Sequence, residues 1–261
     1  MKALGTAATG MLAQQTQVDV IAHNIANANT TGFKAGRAAF QDLIYQTARR
    51  EGALTGEDGA ARPVALDIGL GVQATGVVRS ATQGGLTATD NQLDLAIDGR
   101  GYFTVTRPDG STGYTRDGAF NLSATGEIVS LNGDLLQPTM VVPDNATRVE
   151  VSPDGQVMAY VGTEVQPQVL GRIELATFVN EAGLKAVGDN LFLESAASGS
   201  AVPVEPGVNG AGVLRQGYLE RSNVDVIKQI TDLITAQRAY EMNSKVMTTA
   251  DQMLQSANQI R

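Results

Sequence analysis

Leu4, Ala7, Met11, Val18, Ile21, Ile25 and Ala28 follow one another in steps of three and four once Gln14 is counted as the polar member. That spacing predicts a helix with a heptad stripe at the start of the chain. The last forty residues carry a second stripe through Val226, Ile230, Leu233, Gln237, Tyr240, Ser244, Met247, Ala250, Leu254 and Ala257. Ser222 with Asp225 three positions on predicts a capping box at the start of this helix. Between the stripes the period changes to short β-branched runs: Leu93–Ile97, Tyr102–Thr106, Arg148–Ser152, Gln156–Val161 and Arg172–Phe178. Asp98-Gly99, Asp109-Gly110, Asp117-Gly118, Asn132-Gly133 and Asp154-Gly155 read as hairpin turns, because Asp, Asn and Gly tolerate positive φ. The polar, Gly-rich stretches 50–62 and 195–212 read as connectors or surface loops.

The expected fold class is α+β, with heptad helices at both ends paired as a coiled coil and an antiparallel, mainly β central body. The expected organisation places the first helix and the segment after it in 1–45, the β body in 46–221 and the second helix in 222–261, the last joining the first in one helical domain.

Charge changes the picture of the first helix. Between Ala3 and Phe33 the only formally charged residue is Asp19, whereas a helix with one face in water carries Lys and Glu there. Its outer face is therefore expected to be covered as well. Gly5 and Gly10 each cost about 1 kcal/mol of helix propensity relative to Ala, so neighbours must stabilise it. The second helix carries eight charged residues from Asp225 to Arg261 and is expected to show one face to water. Pairing within one chain leaves too much apolar stripe uncovered, which points to open-ended assembly with further copies through Leu4, Met11, Val18, Ile21, Ile25, Val226, Ile230, Leu233, Tyr240, Met247 and Leu254.

The chain of 261 residues has no cysteine, one histidine and a net charge of −8. Disulfides, thiolate metal sites and cysteine nucleophiles are thereby excluded, and a zinc centre or catalytic triad has few residues to draw on. Residues 51–223 carry ten basic and twenty-one acidic groups; an acidic body without a basic stripe argues against nucleic acid. No run approaches the ~20 apolar residues of a membrane-spanning helix, and the first segment is too diluted by Gly and Thr for a cleaved signal. Gly69, Gly71 and Gly76 fit neither a dinucleotide fingerprint nor a phosphate loop. Asp94 and Asp98, four apart, are the nearest approach to a carboxylate pair, but Asp98 belongs to a turn. No catalytic, cofactor or metal site is expected.

The segment Asn24-Ile25-Ala26-Asn27-Ala28-Asn29-Thr30-Thr31-Gly32-Phe33-Lys34 follows the first stripe directly. Asn and Gly end the helix, the Asn and Thr side chains can bond local backbone, and Phe33 can anchor the exit. This run, with Asn24, Asn27, Asn29, Thr30, Thr31, Gly32 and Phe33 as its marks, resembles the signature of the flagellar rod and hook family of bacterial axial proteins. The block "TAATGMLAQQTQVDVIAHNIANANTTGFKAGRAAFQDLIYQT" and the block "LERSNVDVIKQITDLITAQRAYEMNSKVMTTADQML" are similar to the distal-rod branch of that family. Hook members are generally longer, and the nearest rival, the proximal rod protein, does not usually read Gln237-Arg238-Ala239-Tyr240-Glu241 in its last helix. His23 stands where relatives typically show Asn.

The resemblance implies a structural subunit without enzyme activity. It would be exported by the flagellar type III apparatus without signal cleavage and would stack helically into a torque-transmitting shaft that crosses the periplasm. Implied neighbours are other copies, proximal rod proteins, hook protein and the bushing ring proteins. Segment 47–71 lies where this branch differs from hook members and is implicated in a stiff, straight rod. A polymerising surface adhesin is the alternative of a different class.

Overall fold

The computed structural model describes residues 2–49, 65–162 and 166–259. These divide into two compact units: residues 2–25, 36–49, 65–78 and 225–259 form one, and 26–35, 79–162 and 166–224 form the other.

The first unit holds both helices. Helix α1 spans Lys2–Ala26, so it ends two residues short of the last predicted stripe residue, Ala28, and α2 spans Val226–Gln259. The cap of α2 is Asp225 alone. Its Oδ1 accepts the main-chain N–H groups of Ile227 and Lys228 at 3.0 and 3.1 Å. The expected capping box is not made: Ser222 lies three residues before the cap, and its Oγ accepts the N–H of Val224 at 3.4 Å. Asp225 already satisfies the orphan donors of the first turn, so no reciprocal partner is required.

The other described residues of this unit form a two-stranded antiparallel ribbon. Gly36–Asp42 pairs with Val72–Arg79 and Tyr45–Arg49 with Leu66–Gly69, and the bonds from Leu43 N–H to Gly71 O (2.9 Å) and Leu70 N–H to Ile44 O (3.2 Å) bridge the gap between the ladders. The segment 47–71 includes the stretch 50–62 expected as a connector. Its two ends are strands of this ribbon, and its residues 50–64 lie outside the described residues. The ribbon's outward apolar side chains are not arranged in strict alternation, so period-two reasoning had nothing to detect. Helix α1 meets it closely. Thr9 Oγ1 accepts the N–H of Val72 at 3.4 Å, and a Cβ at Gly36 would stand 3.7 Å from Val20 of the helix.

The second unit is the β body. Its largest sheet has nine strands and is built around Tyr102–Thr106, which pairs antiparallel with Thr112–Thr115, Leu135–Leu136 and Leu175–Thr177. Alternation along that strand sends Phe103 and Val105, both fully buried, into a core with Phe120, Leu136, Val157, Ile173, Leu175 and Leu214. Tyr102 points the other way, into a second cluster with Tyr114, Phe178 and Phe192, where the rings meet edge to face at 4.9–5.9 Å. A three-stranded sheet joins Ala146–Val151, Gln156–Val161 and Gln168–Arg172.

Three of the five predicted turn dipeptides close hairpins: Asp109-Gly110, Asn132-Gly133 and Asp154-Gly155, each with its glycine at positive φ. The other two do not. The strand ending at Asp98 pairs with Val213–Gln216, and Gly118 instead packs directly against the Leu95 carbonyl. Both dipeptides steer the chain between non-neighbouring strands, a choice made by partners far away in sequence.

Candidate assembly interface

The two helices touch at both ends of a shared stretch. Asn24 Nδ2 donates to Gln229 Oε1 at 3.0 Å, and a Cβ at Gly10 would stand 2.9 Å from the Asn243 amide. As the contacts advance along α1 they retreat along α2, so the helices run antiparallel. Between these points they part around a cleft of about 600 Å³ lined by Gln15, Val18, Gln237, Tyr240 and Glu241.

Burial along the stripes is uneven. Ile21 is enclosed, as are Ala7, Ala13 and Asn24, whereas Leu4, Met11, Val18 and Ile25 are half-buried. On α2 the buried residues are Ala236 and Ala250; Leu233, Met247 and Leu254 are half-buried, and Val226, Ile230 and Tyr240 are exposed. Exposed too are Ile227, at 80%, with Ile234, Met242, Val246 and Met253. On α2 the buried positions are thus small, and most of its large apolar side chains are left exposed or half-buried. The ribbon repeats this pattern, with Ile44, Tyr45, Leu66, Ile68 and Leu70 exposed.

The signature segment is held by specific bonds. Asn24 is 2% exposed and embraces the main chain of Gly36: its Nδ2 donates to Gly36 O at 2.8 Å and its Oδ1 accepts Gly36 N–H at 2.9 Å. Asn27 Oδ1 accepts from Thr30 Oγ1 at 3.1 Å, which ties the turn that ends α1. Asn29 is exposed and Thr31 half-buried; the Thr31 carbonyl accepts Asn190 Nδ2 at 3.2 Å. Gly32 has φ +66°, and an added Cβ would lie 2.7 Å from the Arg116 carbonyl carbon, so glycine is required twice over. Phe33 is half-buried.

Sequence reasoning missed the ionic centre at the end of this segment. Lys34, Glu220 and Arg116 are each almost wholly enclosed. Glu220 Oε1 accepts Lys34 Nζ at 2.7 Å and the N–H of Gly84 at 2.8 Å, and Oε2 accepts Arg116 Nη1 at 3.2 Å. Arg116 Nη2 donates to Gly99 O at 2.8 Å, its guanidinium lies 5.3 Å over the Tyr102 ring, and its Nε is buried without a partner. Burial pulls the Lys34 ammonium below the ordinary lysine value, opposed by the Glu220 carboxylate. Burial, with the Glu181 carboxylate second, pushes the Tyr102 hydroxyl up to about 12. The available signal was Lys34 itself, the first charge after a run of fourteen uncharged residues from Val20 to Phe33.

The remaining candidates are structurally occupied. Asp94 is buried and accepts Asn91 Nδ2 at 2.9 Å, while Asp98 pairs with Arg215 at 2.7 Å. His23 lies exposed on the last turn of α1. Among the described residues no cluster of three or more His, Asp or Glu could hold a metal ion, and no helix is long and apolar enough to cross a membrane.

Comparison with known proteins places three family matches along the chain. Residues 4–34 match "Flagella basal body rod protein", residues 96–159 match "Flagellar hook protein FlgE/F/G D1 domain" and residues 215–260 match "Flagellar basal body rod FlgEFG protein C-terminal". The chain is 54% identical over 261 residues to the flagellar basal-body rod protein FlgG of Caulobacter vibrioides, covering 100% of both chains. It is 51% identical over 253 residues to that of Agrobacterium fabrum, covering 97% of each. With that of Borreliella burgdorferi it shares 43% identity over 263 residues, covering 100% of this chain and 99% of the relative.

Proposed function

The chain belongs to the FlgG family of flagellar basal-body rod proteins, and from that membership together with the exposed apolar surface of its helical unit we propose how it works as a structural rod subunit. Copies polymerise helically into the distal rod, and the two terminal helices pack in coiled-coil fashion against those of neighbouring copies through Leu4, Met11, Val18, Ile25, Val226, Ile230, Leu233, Tyr240, Met247 and Leu254, with the exposed Ile227 beside Val226 and Ile230, whereas Ile21, enclosed within the single chain, supports the seam from inside. The carrying observation is that Val226, Ile227, Ile230, Ile234, Tyr240, Met242, Val246 and Met253 of α2 are exposed in the single chain while Ala236 and Ala250 are buried.

The mechanism is mechanical. Apolar seams between helices are non-directional and numerous, so many weak contacts, each about 1.5–3 kcal/mol for a fully buried side chain, add along the polymer. Torque passes through these seams and through body contacts. The ribbon containing the ends of segment 47–71 offers a second apolar surface; a two-stranded ribbon is at best marginally stable by itself, and covering it between copies would stiffen the shaft. Proximal rod proteins and hook protein are the axial neighbours in this reading, the bushing ring proteins are the lateral ones, and the type III apparatus delivers the chain across to the periplasm with its first segment uncleaved. No reaction is involved.

Electron microscopy of concentrated full-length protein tests the proposal. Straight tubes are expected, and none from a chain lacking residues 1–40 and 225–261. Full-length material that remains monomeric at every concentration reached before precipitation would contradict it.

A further inference from the structure

The β body has four chain ends where it gives way to the helical unit, at residues 26, 35, 79 and 224. Three of them meet at one place inside the body. Ser80 N–H donates to Ala35 O at 2.9 Å. Lys34 Nζ, from the first end, donates to Thr82 O of the second at 2.9 Å and to Glu220 Oε1 of the third at 2.7 Å. Asn223, from the third, reaches both of the others. Its Oδ1 accepts the N–H of Ala35 at 2.7 Å, and its Nδ2 donates to Ser80 O at 3.1 Å and Thr82 O at 2.9 Å. The Asn223 N–H completes the ring on Phe33 O at 3.4 Å.

Two side chains therefore each bridge all three ends, and Glu220 ties the set to Gly84 and Arg116. Neither bridge is needed to close a sheet or fill the core. Each satisfies main-chain groups that water would satisfy if the ends came apart. The bonds of Glu220 to Lys34 and of Asn223 to Ala35 link segments 186 and 188 residues apart, so they cannot form until residues 220–223 are in place.

We propose that Lys34, Glu220 and Asn223 form a clamp that makes the three ends a single cooperative unit, ordering and releasing together in place of three independent linkers. Under the rod reading, a load arriving along any one end is shared by all three at the body. The clamp rests on the geometry of the body alone and stands whether or not that reading holds.

Hydrogen exchange on the full-length chain tests it, read at the amides of Ala35, Ser80, Gly84 and Asn223 with the strand Gln156–Val161 as control. Lys34→Met removes the partner of none of these four amides. It is expected to speed exchange at all four by one common factor of about ten to a hundred, the scale set by losing a charged hydrogen bond within a locally opening unit. Asn223→Ala is expected to do the same at Ser80 and Gly84, whose own acceptors it leaves in place. The clamp is overturned if Lys34→Met changes none of the four amides or Gly84 alone, or if Asn223→Ala affects only Ala35. It is equally overturned if either variant loosens the control strand as much as the four amides, since these residues would then support the whole body and not its ends.

Discussion

Ile227→Asp separates what holds one chain together from what joins many. Ile227 is 80% exposed, so folding of the single chain gains about a fifth of the 1.5–3 kcal/mol that full burial of an isoleucine is worth, and about 1.2–2.4 kcal/mol awaits a neighbour. Losing that contact at each joint raises the concentration needed for assembly about 8- to 60-fold, and the desolvation of a carboxylate adds to it. Monomer stability should change by no more than about 0.5 kcal/mol, as for other surface substitutions. The assay is sedimentation of polymer across a concentration series, paired with thermal unfolding of dilute protein by circular dichroism. Ile21→Ala, at a residue 2% exposed, is the opposite control: it should cost the dilute chain about 2–5 kcal/mol. Assembly of Ile227→Asp at the unaltered concentration would refute the argument that α2's outer residues are the seam. So would a loss of monomer stability as large as that of Ile21→Ala.

Asp225→Ala should remove about 1 kcal/mol of stability from α2, seen as loss of helicity on heating, whereas Ser222→Ala should cost far less; equal effects would restore the capping box. Gly32→Ala forces φ +66° on a residue with a Cβ and presses it against the Arg116 main chain, so a loss of about 1–3 kcal/mol from backbone strain is expected, measurable as a lowered denaturation midpoint. The Tyr102 hydroxyl has a higher value folded than the ordinary 10, so the fold prefers it protonated: its contribution is complete below pH 10 and is lost as pH rises toward 12. Urea titrations at pH 9 and pH 12 should therefore show wild type losing about 2–3 kcal/mol more than Tyr102→Phe over that interval; parallel losses would disprove the assignment.

Both helices, the strands Tyr102–Thr106 and Gln156–Val161, and the signature segment were legible in the sequence because each rests on local order: a heptad step, an alternation, a cap or a glycine at positive φ. The near absence of charge from Ala3 to Phe33 was equally legible, since solvation of a helix face is written in its own residues. Which stripe residues turn inward was not. Burial depends on the partner's position, as where Gly10 leaves room for the Asn243 amide at the approach of α1 and α2. The turns at Asp98 and Asp117 misled for the same reason, since a turn dipeptide records local φ and not which strand comes next. Lys34, Arg116, Glu220 and Asn223 lie far apart in the chain and look like ordinary surface residues there. Only the fold removes them from water together, and burial is what obliges each to find the others.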